Sequence, residues 1–136
     1  MVLVDTSVWI DFFSASACRH VEALEQLIIN KEDVCLCGVI LTEILQGIRN
    51  DAEFERTREL LESLIVLPMR HSVFLRSAEI YRYLRKQGIT IRKPVDCMIA
   101  STAIEYNLPF LHNNRYFNPI EQHCGLKSFL SSRRLQ

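Results

Sequence analysis

The chain has 136 residues, 49% hydrophobic and 24% charged, with 16 basic and 16 acidic residues cancelling to a formal net charge of zero. This length and composition fit one globular domain over residues 1–136 with a real core, and the charge balance argues against avid, non-specific nucleic-acid binding while leaving room for a local basic patch. No apolar run approaches the roughly 18 residues of a membrane helix, and Met1-Val2-Leu3-Val4-Asp5 has no basic n-region or cleavage site of a signal peptide.

In chain order, Val2 to Val4 reads as a short buried strand. Ser7 to Phe13 follows as a helix with Thr6 or Ser7 as N-cap. Val21 to Ile29 has helical spacing at Val21, Leu24, Leu27 and Ile28. Asp33 to Cys37 is a second strand. Val39 to Ile48 is a helix striped by Leu41, Ile44, Leu45 and Ile48, and Asp51 to Leu64 another, with Phe54, Leu61 and Leu64 inward. Ile65 to Leu67 is a third strand stopped by Pro68. Ser72 to Lys86 is a long helix closed by Gly88. Pro94 opens a helix to Tyr106, since proline is favoured in a first turn. Pro109 to Leu111 is a fourth strand, and a fifth is a candidate near Leu126. This alternation predicts an α/β fold, a parallel sheet of four to five strands with helices on both faces. Cys18, Cys35, Cys37, Cys97 and Cys124 are odd in number and lack zinc or redox spacing, which suits reduced, mostly buried thiols and a cytoplasmic protein.

Three acids occupy comparable places. Asp5 follows the first strand, Glu43 lies one turn into the helix after the second, and Asp96 lies in the first turn of the helix opened by Pro94. Ligands of open α/β sheets bind outside the carboxyl ends of the strands. Each acid is flanked by apolar residues, and carboxylates are seldom buried without a partner. Two of them at roughly 4 Å repel by about 4 kcal/mol at an effective dielectric of about 20. A divalent cation removes that cost, and hard oxygen ligands suit Mg²⁺ or Mn²⁺. Taken singly, Asp5 and Asp96 also suit a helix N-terminus, and Glu43 an exposed helix face.

Four segments carry a family likeness: Val4-Asp5-Thr6-Ser7-Val8-Trp9-Ile10, Thr42-Glu43-Ile44-Leu45-Gln46-Gly47, Pro94-Val95-Asp96-Cys97-Met98-Ile99-Ala100, and Leu111-His112-Asn113-Asn114-Arg115-Tyr116-Phe117. Together they resemble the PIN-domain nucleases, and more narrowly the VapC-type toxins of bacterial toxin–antitoxin pairs. The likeness covers essentially the whole chain. It implies a three-layer α/β sandwich and metal-dependent endoribonuclease activity through a metal-activated water, leaving a 5′ phosphate. It also implies a small antitoxin partner that blocks the site, and a homodimer. Asp5, Glu43 and Asp96 match the family's acidic positions. Thr6 or Ser7 would orient the first carboxylate or a metal water, with helix capping as the alternative.

The fourth segment departs from the pattern. Many relatives carry Asp in this loop and a second acid two residues later, where Asn114 and Tyr116 stand here. Asn keeps a carbonyl oxygen but loses the charge. Asn113 and Asn114 equally suit a turn, and His112 either contacts the site or is structural. The departure raises an alternative, a catalytically weakened PIN-like module that binds RNA or a partner protein. Arg85, Lys86, Arg92 and Lys93, with Arg82, form an acid-free run leading into Asp96 that could position RNA phosphates, or else a solvated face. Arg133 and Arg134 form a small basic tail. Trp9, Phe12 and Phe13 read as core or partner-groove residues. A signalling receiver domain is set aside because Leu67-Pro68-Met69-Arg70 offers no phosphoacceptor Asp. A haloacid-dehalogenase-type hydrolase is set aside because Ser7 stands where its second acid would.

Overall fold

The computed structural model describes residues 1–130; the predicted tail of Arg133 and Arg134 lies outside them. Four strands form one parallel sheet: β1 (Val2–Val4), β2 (Val34–Cys37), β3 (Ile65–Leu67) and β4 (Phe110–Leu111), in the order β3-β2-β1-β4. β1 and β2 are buried along their whole length, as strands covered on both faces must be. The helices are α1 (Thr6–Phe13), α2 (Arg19–Ile29), α3 (Gly38–Gln46), α4 (Asp51–Glu62), α5 (His71–Lys86), α6 (Pro94–Glu105) and α7 (Asn118–Cys124), with a 3₁₀ turn over Arg115–Phe117.

The strand order explains where a site forms. The chain steps outward from β1 to β2 to β3, then crosses back to place β4 on the other side of β1. Right-handed crossovers put α1 to α4 on one face and α5 with α6 on the other. Packing of α1 on α2 and α3, and of α5 on α6, follows this division. The direction reverses at β1, so the connections leaving β1 and β4 diverge and open a cleft at their carboxyl ends. The first strand is locked to the last: the Asp5 N–H donates to the Leu111 carbonyl at 2.9 Å.

α6 is the central helix. Cys97, Ile99, Ala100, Ser101, Thr102 and Ala103 are all buried, so apolar or small residues surround it and no polar stripe remains. Leu3, Leu24, Leu36, Ile40, Leu61, Leu84 and Phe110 fill the space on either side of the sheet at zero exposure. Each such side chain contributes about 1.5–3 kcal/mol through burial. All five cysteines are free, with Cys35, Cys37 and Cys97 buried. No helix of the described residues is long and apolar enough to cross a membrane.

Several expectations need correction. The N-cap of α1 is Asp5 rather than Thr6 or Ser7, because its side chain accepts from the Ser7 N–H. The fifth strand near Leu126 reduces to a single parallel bridge between Phe110 and Ser128, since α7 runs to Cys124 and leaves only a short extended run. Residues 115–124, given no element from sequence, are helical. Ile28 is 47% exposed, whereas Val21, Leu24 and Leu27 are buried. Gly88 does end α5 in the left-handed conformation, with Ile89 N–H donating to the Leu84 carbonyl at 2.8 Å. The same closure ends α1, α2 and α6 at Ala15, Lys31 and Asn107, which adopt positive φ without glycine.

Candidate metal centre

Asp5 leaves the end of β1 at the mouth of the cleft and is 3% exposed. Its Oδ2 accepts from the Ser7 backbone at 3.1 Å and the Ser7 hydroxyl at 2.6 Å. Ser7 Oγ in turn accepts from the Asn113 N–H at 3.0 Å. Ser7 therefore ties the first carboxylate to the loop after β4. Burial raises the Asp5 pKa, the Ser7 hydrogen bonds and nearby His112 draw it back, and Glu43 adds repulsion. Desolvation outweighs the capping bonds, so the acid is held in a place that disfavours its charge.

Asp96 sits in the first turn of α6, three residues past the Lys93 N-cap. The helix dipole favours an anion there. Burial wins nevertheless: with repulsion from Asp5 and Glu43 added and only Lys93 opposing, its pKa is raised to about 6. Its Oδ2 is buried with no hydrogen-bond partner among the described residues. Glu43, on α3, is half-buried, and its Oε1 accepts from the Thr6 hydroxyl at 2.7 Å. Thr6 thus orients Glu43 while Ser7 orients Asp5, a division of labour that sequence could not assign.

Asp96 senses the charge of Asp5 and Glu43, Asp5 senses Glu43, and Cys37 senses two of the acids: burial, then Asp5 and Glu43, push its thiol pKa up. A buried carboxylate oxygen without a partner is costly, and three carboxylates close enough for Asp5 and Glu43 to raise the Asp96 pKa offer the hard oxygen donors a divalent cation requires. The donor chemistry of the residues suits such an ion. They form an open acidic cleft rather than a closed ligand set, for among the described residues no three His, Cys, Asp or Glu side chains stand in position to chelate a metal ion.

On the β4 side of the cleft the polar side chains are engaged with one another. Asn114 Oδ1 accepts from Tyr116 N–H at 3.0 Å and caps the 3₁₀ turn. Its own N–H donates to His112 Nδ1 at 3.2 Å. The other ring nitrogen, Nε2, meets the Glu121 carboxylate. His112 also packs its ring against Phe110 and Phe117. Both its ring nitrogens are engaged, so it serves the loop. Asn113 Nδ2 donates to Asp11 Oδ2 at 3.2 Å. Glu121 escaped sequence analysis, although Asn118-Pro119 is a helix-start signal that could have exposed it.

The basic run divides. Lys93 lowers the Asp96 pKa. Arg92 Nη1 donates to the Tyr116 hydroxyl at 3.3 Å. Arg85 lies over the Tyr81 ring, and with Lys86 occupies the last turn of α5, where cations offset the helix dipole. Arg115, not singled out from sequence, lies 5.5 Å from the Tyr116 ring centroid. It and Arg92 draw the Tyr116 pKa down. Beside Glu43 runs a groove of about 360 Å³ lined by Ile10, Phe13, Ile44, Ile48 and Thr57. Trp9 is buried beneath it and stacks on Phe13 at 5.9 Å.

Comparison with known proteins agrees with this geometry. A PIN-domain family model matches residues 2–121. Over 130 residues the chain is 31% identical to Ribonuclease VapC11 of Mycobacterium tuberculosis, covering 94% of this chain and 97% of that protein. Among solved structures, it resembles VapBC2 from Rickettsia felis bound to a DNA fragment from its promoter, with a TM-score of 0.75, 19% identity, and 94% and 97% of the two chains covered. FitAcB from Neisseria gonorrhoeae superposes with a TM-score of 0.73 at 25% identity, over 95% and 96% of the two chains.

Proposed function

Because this chain belongs to the PIN-domain family, we propose that it is an endoribonuclease, the toxin of a toxin–antitoxin pair, working with a divalent metal at Asp5, Asp96 and Glu43. The observation that carries the reading is the buried, unpartnered Asp96 Oδ2 in a cleft shared with two other acids. A divalent cation held there, Mg²⁺ or Mn²⁺, supplies neutralising charge, an acidified water and an electrophile for the phosphate. Every other contribution is the chain's own. Asp5 and Asp96 present carboxylate oxygens from two rigid elements. Ser7 fixes the Asp5 rotamer through two hydrogen bonds, and Thr6 holds Glu43 at the rim. Asn114 keeps the β4 loop in shape, and Lys93 offers a cation beside Asp96 for a substrate phosphate.

The partner in this reading is a small antitoxin. The groove beside Glu43 is open and amphipathic, with Ile10 51% and Phe13 39% exposed and Arg49 and Glu53 on its lining. A short amphipathic segment seated there would lie against Glu43 and obstruct the cleft. A homodimer belongs to the same reading; exposed Phe74 and Leu75 on α5 give a second copy apolar surface to cover. Free, largely buried thiols suit a reducing cytoplasm.

The test is RNA cleavage by the purified chain in Mn²⁺, in Mg²⁺ and in EDTA, beside Asp5→Asn. Cleavage in metal, lost in EDTA and in the variant, is the expected result. Cleavage that survives both would overturn the reading. A second reading, a weakened module that binds without turnover, is favoured by one observation: Asn114 spends its side-chain oxygen on the Tyr116 N–H and brings no charge.

A further inference from the structure

Tyr116 stands where an acid would continue the fourth motif, and it is neither buried nor idle. Its hydroxyl accepts from Arg92 Nη1, and the Arg115 guanidinium lies on its ring. Among the described residues, neither arginine forms an ion pair. Two guanidiniums thus converge on a neutral phenol rather than on a carboxylate, which leaves both positive charges uncompensated.

Both ends of this cluster lead directly into the acidic cleft. Arg92 precedes the Lys93 N-cap, whose charge registers on Asp96. Tyr116 N–H is bonded to Asn114, and the neighbouring Asn113 N–H to Ser7, which holds Asp5. The 3₁₀ turn that carries Arg115 and Tyr116 packs on α6. The cluster therefore sits at the seam between the segments that supply the two aspartates. A net-neutral chain has little bulk attraction for a polyanion, so a concentrated site at this seam matters more than it would in a basic protein.

We infer that Tyr116, Arg92 and Arg115 form a docking subsite for single-stranded RNA at the edge of the acidic cleft, the phenol ring stacking on an unpaired base and the two guanidiniums holding the adjoining phosphate. The inference rests on the ribonuclease reading above and adds the residues that seat the strand. Stacking needs a base free of its own helix, and an aromatic face accepts any base. The guanidinium fork matches phosphate oxygens, and exchanging the phenol hydroxyl for phosphate gains a charge-assisted bond.

The experiment measures binding, so it does not depend on turnover. The full chain carrying Asp96→Asn is titrated against a fluorescein-labelled single-stranded RNA of mixed sequence and against its duplex, by fluorescence anisotropy at several salt concentrations. Adding Tyr116→Ala should weaken single-strand binding about tenfold, from the usual worth of one stacked base, and leave duplex binding unchanged. Tyr116→Phe should bind within about twofold of its parent, because the ring remains. Arg92→Ala should lower the slope of log affinity against log salt by about one contact's share. Equal binding by Tyr116→Ala and its parent, or an unchanged salt slope for Arg92→Ala, overturns the subsite. Either result could stand beside RNA cleavage by the wild-type chain, whereas failure of that cleavage is the separate mark against the ribonuclease reading.

Discussion

On the β1 and α6 side of the cleft, Asp5 and Asp96 are buried against their own charge, and one carboxylate oxygen has no partner. On the β4 side, His112 engages Asn114 and Glu121, and Asn113 engages Ser7 and Asp11, in a network whose polar groups have partners. The same cleft holds a wall that destabilises the chain and a wall that stabilises it. The contrast is sharpest at Asp96: its Oδ2 is buried without a partner, whereas the polar groups of the β4 loop have theirs.

The largest effect expected from this contrast is at Asp96. Asp96→Asn should reduce RNA cleavage by at least about a hundredfold and yet raise the melting temperature in EDTA by several degrees. A gain of about 2 kcal/mol corresponds to such a shift in a domain of this size. Thermal unfolding of both proteins at neutral pH, with and without metal, measures it. A lower melting temperature in EDTA would break the comparison.

The pH profile comes next. A carboxyl at about 6 when folded and near 3.8 when unfolded makes the native state bind the extra proton between those values. Metal-free stability therefore falls as pH rises from about 4 to above 6, by about 3 kcal/mol across the window. Mg²⁺ or Mn²⁺ should flatten that fall, since the ion favours the ionised acid. Chemical denaturation across the range, with and without metal, reads both slopes.

Smaller and of opposite sign is the effect on the saturated wall. His112→Ala leaves the Asn114 N–H unpaired and strips packing from Phe110 and Phe117. It should cost about 2 kcal/mol of stability with or without metal, while cleavage well below the melting temperature falls less than about tenfold. Smallest is Asn114→Asp. A carboxylate caps the 3₁₀ turn as well as the amide does, so the fold should hold. Cleavage should change by less than about tenfold; a large gain would instead favour the weakened-module reading.

The parts of this cleft that lie close together in sequence were readable there. A short apolar strand ending in Asp5, and Pro94 opening a helix with Asp96 in its first turn, are local arrangements, and both elements form as expected. The pairings across the fold were not readable. Thr6 meets Glu43 across 37 residues, Ser7 meets Asn113 across 106, and Arg92 meets Tyr116 across 24. Periodicity carries no information about which side chains converge from different elements. The missed helix over Asn118–Cys124 had its proline signal, but it is two turns long, too short for a clear apolar stripe. The left-handed closures at Ala15, Lys31 and Asn107 were hidden because tertiary packing imposes them on residues that do not advertise them.

The bond between Asp5 N–H and the Leu111 carbonyl has a further meaning during synthesis. The strand that fixes the backbone of the cleft's first acid comes more than a hundred residues after it. Parallel pairing across such a separation forms late. A nascent chain therefore has no assembled cleft until β4 and the loop beyond it are free to pair with β1.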